Sequence, residues 1–352
     1  MTSITKPKVQ HPSSTRNALG LSRRDYEGSM STLCAGCGHD SVTAALVDAF
    51  WQLDIEPHRV AKLSGIGCSS KTTAYFINQA HGFNSVHGRM PAVATGANAA
   101  NRELYYVGVS GDGDSLSIGL GQMCHAIRRN VSMLYVLENN GVYGLTKGQF
   151  SASADLGSKS KKGEANVQPP IDPVLLALTL GASFVARSFS GDKAQLVPIL
   201  KAGLKHGGFA LVDVISPCVT FNDHEGSTKS YLYTRQHYDE VAPVDFVPLR
   251  REIATTATDN GAVRSVTMHD GSTVHFRQLT EDYDPTNREA AYSYVRKAHE
   301  RGEVATGLLY IDQGSPDMHE INGSVAGSLT NVPYEVLCPG NAKLQALMEE
   351  YR

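Results

Sequence analysis

The stretch from Tyr105 to Gly141 constrains this chain more than any other. Tyr105 to Ser110 is an apolar run of strand length that ends in Gly111-Asp112-Gly113-Asp114. A helix is expected from there to about Arg129, because Leu116, Leu120, Met123 and Ile127 recur at helical spacing. Val131 to Leu137 is the next apolar run, and it ends in Glu138-Asn139-Asn140-Gly141. Strand, helix and strand in that order make a parallel pair joined by a right-handed crossover.

The same alternation extends in both directions. A helix is expected from about Ser41 to Leu53, capped by Asp40 or Ser41, with Ala44, Ala45, Leu46 and Val47 supplying apolar residues. A strand over Val60 to Ser64 runs into the loop Gly65 to Ser70, and a helix is expected near Lys71. Downstream, Val174 to Leu180 reads as helix, Ser183 to Arg187 as strand, Lys193 to His206 as helix and Ala210 to Ile215 as strand, followed by Ser216-Pro217-Cys218. The polar segment Ser151 to Pro170 reads as a mobile loop. Beyond about Val241 the rhythm weakens, although a helix is expected from Thr286, with Glu289 completing a capping box, to Gly302. The expected architecture is α/β, a mostly parallel sheet with helices on both faces. Residues 1–30 form an N-terminal arm, 31–240 the binding domain and 241–352 a C-terminal extension.

Composition excludes several classes. The net charge is −3, and basic residues gather only at Lys159, Lys161 and Lys162, so no nucleic-acid-binding surface is expected. There is no apolar stretch of about 18 residues to span a membrane. The polar N-terminus lacks the apolar run of a signal peptide. A cytoplasmic location follows, where thiols stay reduced, so the six cysteines are read as ligands, nucleophiles or core residues.

Ligands of an open parallel sheet sit at the carboxyl ends of its strands, which is where Gly111–Asp114 and Glu138–Val142 fall. Asp112 offers an anionic oxygen and Asn140 a neutral one. With a backbone carbonyl and diphosphate oxygens they can complete an octahedron around Mg²⁺. Gly111 and Gly113 allow close backbone approach, and the helix that follows favours phosphate charge at its start. The competing Rossmann reading lacks its strand-following G-x-G-x-x-G.

Cys34 and Cys37 form a C-x-x-C, while Cys68 and Cys218 each follow a strand. Four thiolates at one sheet edge can bind a zinc ion or an iron–sulfur cluster, and the count alone does not separate the two. Cys124 reads as a small core residue, and Cys338 has no assigned role.

Six segments carry a family resemblance: LCAGCGHD (33–40), GIGCSSK (65–71), HGRMPAVATGAN (87–98), GDGDSLSIGLGQMCHAIRRN (111–130), ENNGVYGLTKGQ (138–149) and SPCVTFN (216–222). In order and spacing, across roughly residues 30–225, they resemble the β subunits of 2-oxoacid:ferredoxin oxidoreductases. Ala35 departs from the family pattern, where a proline is common, and both ends of the chain are longer than in compact members.

The resemblance implies a thiamine-diphosphate-binding fold. It implies Mg²⁺ held by Asp112, Asn140 and the carbonyl of Val142. Cofactor contacts are implied at Ile66, Gly67, Cys68, Ser69, Gly111, Asp112, Gly113, Asp114, Asn140, Val142, Tyr143, Gly144, Leu145 and Thr146. It also implies a [4Fe–4S] cluster on Cys34, Cys37, Cys68 and Cys218, since an electron acceptor beside a carbanion-forming cofactor has a use that zinc would lack. Lys71, His87 and Arg89 are candidates for meeting substrate or cofactor, and Leu145 and Lys147 for shaping the pocket. The implied activity is reversible, CoA-dependent oxidative decarboxylation of a 2-oxoacid, with electrons passing to ferredoxin. The carboxylate that activates thiamine is expected from an α subunit, so the implied assembly is α2β2. The substrate expectation is 2-oxoglutarate, with pyruvate or a broader 2-oxoacid range as the alternative. A non-redox thiamine-diphosphate lyase, an iron–sulfur scaffold without catalysis and a zinc-stabilised binding module are the other readings.

Overall fold

The computed structural model describes residues 6, 11–160, 162–242, 244–247, 263–267, 273–277 and 283–352. Most of the first ten residues of the expected arm, Lys161 and several stretches between 243 and 282 lie outside the described residues.

In chain order, helix α1 (Gly38–Gln52) leads to strands β1 (Val60–Ser64) and β2 (His81–Asn84), helix α2 (Met90–Ala100) and strand β3 (Tyr105–Gly111). Then come α3 (Leu120–Arg128), β4 (Met133–Asn139) and a small hairpin, β5 (Val142–Tyr143) with β6 (Gln149–Phe150). Helix α4 (Pro173–Leu180), β7 (Phe184–Phe189), α5 (Lys193–Lys205) and β8 (Phe209–Ile215) continue the alternation. They are followed by α6 (Tyr231–Gln236), β9 (Tyr238–Ala242), β10 (Val244–Val247), β11 (Val263–Thr267), β12 (Thr273–Arg277), α7 (Arg288–Glu300) and β13 (Val304–Ile311).

The main sheet has the order β2-β1-β3-β4-β8-β7-β13-β9. Its first six strands are mutually parallel, and β13 pairs antiparallel with β7. The apolar runs explain the two-faced core. Successive side chains of a strand point to opposite faces, so Leu134 and Val136 of β4 pack with α1 and α5, while Met133, Tyr135 and Leu137 pack with α2, α3, α4 and α7. Strand β8 divides in the same way, Val212 and Val214 on one side and Phe209 and Leu211 on the other. Each large apolar side chain fully buried in these layers contributes about 1.5–3 kcal/mol. The expected α/β class and its helices on both faces are borne out.

Several local expectations differ. Helix α1 begins at Gly38, ahead of the expected Asp40 or Ser41 cap, and its first N–H donates to the Pro217 carbonyl at 3.3 Å. The expected helix near Lys71 is a short 3₁₀ segment, Ser69–Ala74, because buried Lys62 draws the carbonyls of Thr73, Phe76 and Ile77 onto its ammonium at 2.7–2.8 Å. The helix after Asp114 is interrupted. A π-turn over Gly113–Ile118 gives way at Gly119 to α3, and the Gly119 N–H donates to the Asp114 carbonyl. Helix α7 is capped by Asn287, whose side chain accepts the Ala290 N–H, rather than by Thr286. Cys124 is half-buried on α3, not a core residue.

The segment read as a mobile loop is anchored at its start, where Ser151, Ser153 and Ala154 are buried. The described part of the arm packs on its own domain: Tyr26 is fully buried and Trp51 donates to the Leu21 carbonyl. Helix α7 and strand β13, which fall in the expected C-terminal extension, belong to the main sheet and its core.

Candidate cofactor and cluster site

Strands β1, β3, β4 and β8 lie side by side, so the loops after Ser64, Gly111, Asn139 and Ile215 emerge at one edge. A small cavity of about 70 Å³ opens there. Its wall includes Ile66, Gly67, Cys68, Ser69, Gly111, Asp112, Gly113, Asp114, Asn140, Val142, Tyr143, Gly144, Leu145 and Thr146, the whole set expected to contact the cofactor, together with His87. Lys71 and Arg89 do not line it. Lys71 lies close enough to Cys68 to favour its thiolate, and Arg89 is exposed at the start of α2. The sequence reading missed two lining residues, His39 and Ile118. His39 was available as a signal, since it stands two residues after Cys37 in the quoted LCAGCGHD segment.

Asp112 is buried, and its hydrogen-bond partners carry no charge. Ser151 donates to Oδ2, Ser153 Oγ lies 2.7 Å from the same oxygen, and the Asn140 N–H reaches Oδ1 at 3.4 Å. Burial raises its pKa, and these donors oppose the rise. A buried carboxylate with neutral partners is costly unless a cation joins it. Asn140 accepts the Val142 N–H on Oδ1 at 3.0 Å and donates from Nδ2 to Nε2 of His39 at 3.4 Å. One carboxylate, one amide oxygen and a loop carbonyl suit a hard divalent cation that completes its shell with phosphate oxygens and water. Gly113 is required on steric grounds, because a β-carbon there would strike the ring of Tyr143.

His39 is fully enclosed. Its Nδ1 lies 2.6 Å from Ser216 Oγ and 3.5 Å from Oε2 of Glu138. Burial lowers its pKa to about 4, so the ring is neutral at ordinary pH. Glu138 is completely buried and raised well above the usual carboxylate range by desolvation, with Thr72 Oγ1 as a neutral donor at 3.2 Å.

The four expected thiols converge beside this cavity. A β-carbon placed on Gly144 would stand 3.5 Å from Cys68 Sγ and 3.6 Å from Cys218 Sγ. Cys34 accepts from Thr220 Oγ1 at 3.5 Å, and Cys37 caps α1. Burial pushes the Cys37 thiol up to about 12, and burial also raises Cys68 and Cys218. Cys218 and Cys34 lie close enough to raise Cys68 further, and Cys34 close enough to raise Cys218. Raised pKa values favour the protonated thiol at Cys37, Cys68 and Cys218, and a bound metal would draw out the thiolate form. Among the described residues no three His, Cys, Asp or Glu side chains are drawn together tightly enough to hold one metal ion.

The fold and the sheet-edge site define a thiamine-pyrophosphate enzyme domain. Residues 65–214 match the family described as thiamine pyrophosphate enzyme, C-terminal TPP binding domain. The chain is 40% identical over 208 residues to the 2-oxoacid:ferredoxin oxidoreductase subunit beta of Saccharolobus solfataricus, over 59% of this chain and 66% of that one, just short of two thirds of the relative's length. It is 33% identical to the 2-oxoglutarate synthase subunit KorB of Archaeoglobus fulgidus, over 62% of this chain and 84% of that one. Its structure is similar to a chain of the 2-oxoglutarate:ferredoxin oxidoreductase from Magnetococcus marinus solved with 2-oxoglutarate, coenzyme A and succinyl-CoA bound. That likeness has a TM-score of 0.71 at 29% identity and covers 93% and 96% of the two chains. The chain belongs to the 2-oxoacid:ferredoxin oxidoreductase β-subunit family. Among the described residues no helix is long and apolar enough to cross a membrane.

Proposed function

We propose that this chain is the catalytic β subunit of a 2-oxoglutarate:ferredoxin oxidoreductase. The overall reaction converts 2-oxoglutarate, CoA and two oxidised ferredoxins to succinyl-CoA, CO₂, two reduced ferredoxins and a proton. The observation that carries this reading is Gly144, which lines the cavity on one side and abuts the Cys68 and Cys218 sulfurs on the other. A carbon-chemistry site and a thiol ring share one wall, which suits removal of electrons from a bound substrate.

Thiamine diphosphate supplies carbanion stabilisation when bound, and a [4Fe–4S] cluster on Cys34, Cys37, Cys68 and Cys218 accepts electrons. The protein's part is to hold and orient. Asp112, Asn140 and the Val142 carbonyl would grip Mg²⁺ and through it the diphosphate, while Gly111 and Gly113 leave room for the phosphates. His87, which lines the cavity, is assigned to meeting a carboxylate of a 2-oxoacid, and Lys71, Arg89 and Lys147, which do not line it, remain candidates for the same role. Lys147 is the candidate for the second carboxylate of 2-oxoglutarate.

An α subunit completes the site. The cavity's outer rim includes Ile118 and Leu145, each about half exposed, and apolar side chains at the mouth of a water-sensitive site suit coverage by a partner. The thiamine-activating carboxylate is assigned to that partner, in an α2β2 assembly, with a cytoplasmic ferredoxin as acceptor.

The test is co-expression with the genomic neighbour, anaerobic purification and an assay of CoA-dependent viologen reduction with several 2-oxoacids. Reduction with 2-oxoglutarate supports the reading. Activity with pyruvate alone keeps the mechanism and changes the substrate, and a colourless, inactive complex refutes the redox assignment.

A further inference from the structure

His39 is a buried side chain that the reaction as described does not use, yet it touches both halves of the site. It stands on the first turn of α1, two residues after Cys37, and its ring crosses to the metal-binding loop after β4. Nε2 faces the amide nitrogen of Asn140 at 3.4 Å, while Nδ1 is engaged by Ser216 Oγ at 2.6 Å and approached by Glu138 at 3.5 Å. The tautomer that satisfies all of these carries its proton on Nδ1, donated toward Ser216 or Glu138, and leaves Nε2 as an acceptor.

An asparagine amide can sit either way round, and only its surroundings choose. Here one end is fixed by the Val142 N–H, which needs an oxygen, and the other by His39 Nε2, which needs an N–H. Reversing the amide would set two donors together at Val142 and two acceptors together at His39. We propose that His39 is the positioning residue of the metal site, holding the Asn140 amide so that its oxygen faces the cation. The same contact ties the helix that bears Cys37 to the loop that bears Asn140. This rests on reading Asp112 and Asn140 as Mg²⁺ ligands.

The test uses the complete complex with its partner subunit and measures thiamine diphosphate binding as a function of Mg²⁺ concentration, with iron content and thermal unfolding recorded for each variant. His39→Leu removes the acceptor. It should raise the Mg²⁺ needed for half-saturation by about 10–100-fold, the usual scale for loss of an outer-shell partner, and excess Mg²⁺ should restore binding. His39→Gln, whose amide oxygen can stand near the place of Nε2, should remain within a few-fold of wild type. Asp112→Ala is the control for the metal site itself. Wild-type Mg²⁺ dependence in His39→Leu, with binding abolished in Asp112→Ala, overturns the proposal and leaves the metal reading intact. Normal binding in Asp112→Ala overturns both. Should His39→Leu fail to fold, His39→Asn, whose shorter amide stands in for Nδ1 alone, replaces it, and equal Mg²⁺ dependence of the Asn and Gln variants overturns the proposal.

Discussion

The side-chain amide of Asn139 donates to Oδ1 of Asp213 at 3.1 Å, joining the last residue of β4 to the middle of β8. Asn139 therefore faces away from its neighbour Asn140, which lines the cavity. Its own oxygen lies 2.8 Å from Ser153 Oγ, which also contacts Asp112. Beyond Asp213 the chain of contacts continues through Arg187 to Asp172, each step 2.7 Å, and from Asp172 to His299 at 3.1 Å. The metal-site aspartate is thus supported by a polar network running under the sheet edge.

Arg187 is the centre of that network. It is buried and paired with two carboxylates, so Arg187→Met would strand both charges. Removing one partner of a buried ion pair costs about 3–5 kcal/mol. Thermal or denaturant unfolding of Arg187→Met should show a loss of that order, and a loss under about 1 kcal/mol would refute the role given to the network.

Asp172 sets an acid limit. Its burial alone would raise its pKa, but Arg187 and His299 more than offset this and hold the carboxyl well below the usual range. A carboxylate depressed in the folded state contributes stability that is complete above the unfolded value, about 4, and is lost as pH falls below it. Stability measured from pH 5 downward should fall in the wild type, and less steeply in Asp172→Asn.

Lys62 gives the opposite limb. Burial lowers its pKa to about 8, under the unfolded value of about 10.4. Between these values the unfolded chain holds a proton that the folded chain has released, so this residue's contribution to stability rises with pH across that window and is flat below it. Lys62→Met leaves the carbonyls of Thr73, Phe76 and Ile77 without their donor and should cost about 1–3 kcal/mol. The gap between the two proteins should widen from pH 8 to 10. An unchanged gap would show that the amine stays charged.

Two substitutions separate the two centres. Asp112→Ala should abolish Mg²⁺-dependent thiamine diphosphate binding while leaving the iron content unchanged. Cys68→Ala should remove absorbance near 400 nm and lower the iron content while thiamine diphosphate still binds. Full iron in Cys68→Ala would remove the four-cysteine assignment.

The sequence by itself determined the βαβ rhythm and the loops that end its strands. Apolar runs of strand length bounded by glycine and by Asp or Asn leave little choice about where a parallel sheet begins and stops. That is why the loops Gly111–Asp114 and Glu138–Val142 were legible at the sheet edge, while the rest of the cavity wall from Ile66 to Thr146 came from the family resemblance. The order of the strands was not in the local pattern. Only the tertiary structure decided that β1, β3, β4 and β8 stand adjacent, which is what brings Cys68 and Cys218 together beside Gly144. It also returned β13 to the main sheet after a long stretch of weak periodicity, because an edge formed by β7 has unpaired backbone groups to satisfy. The roles of His39, Asn139 and Lys62 depend on partners 101 and 177 residues away for the first, 74 for the second and up to 15 for the third. Such hydrogen bonds obey no sequence period. They exist because burial strips water from polar groups, and each group must then find its partner wherever packing has put one.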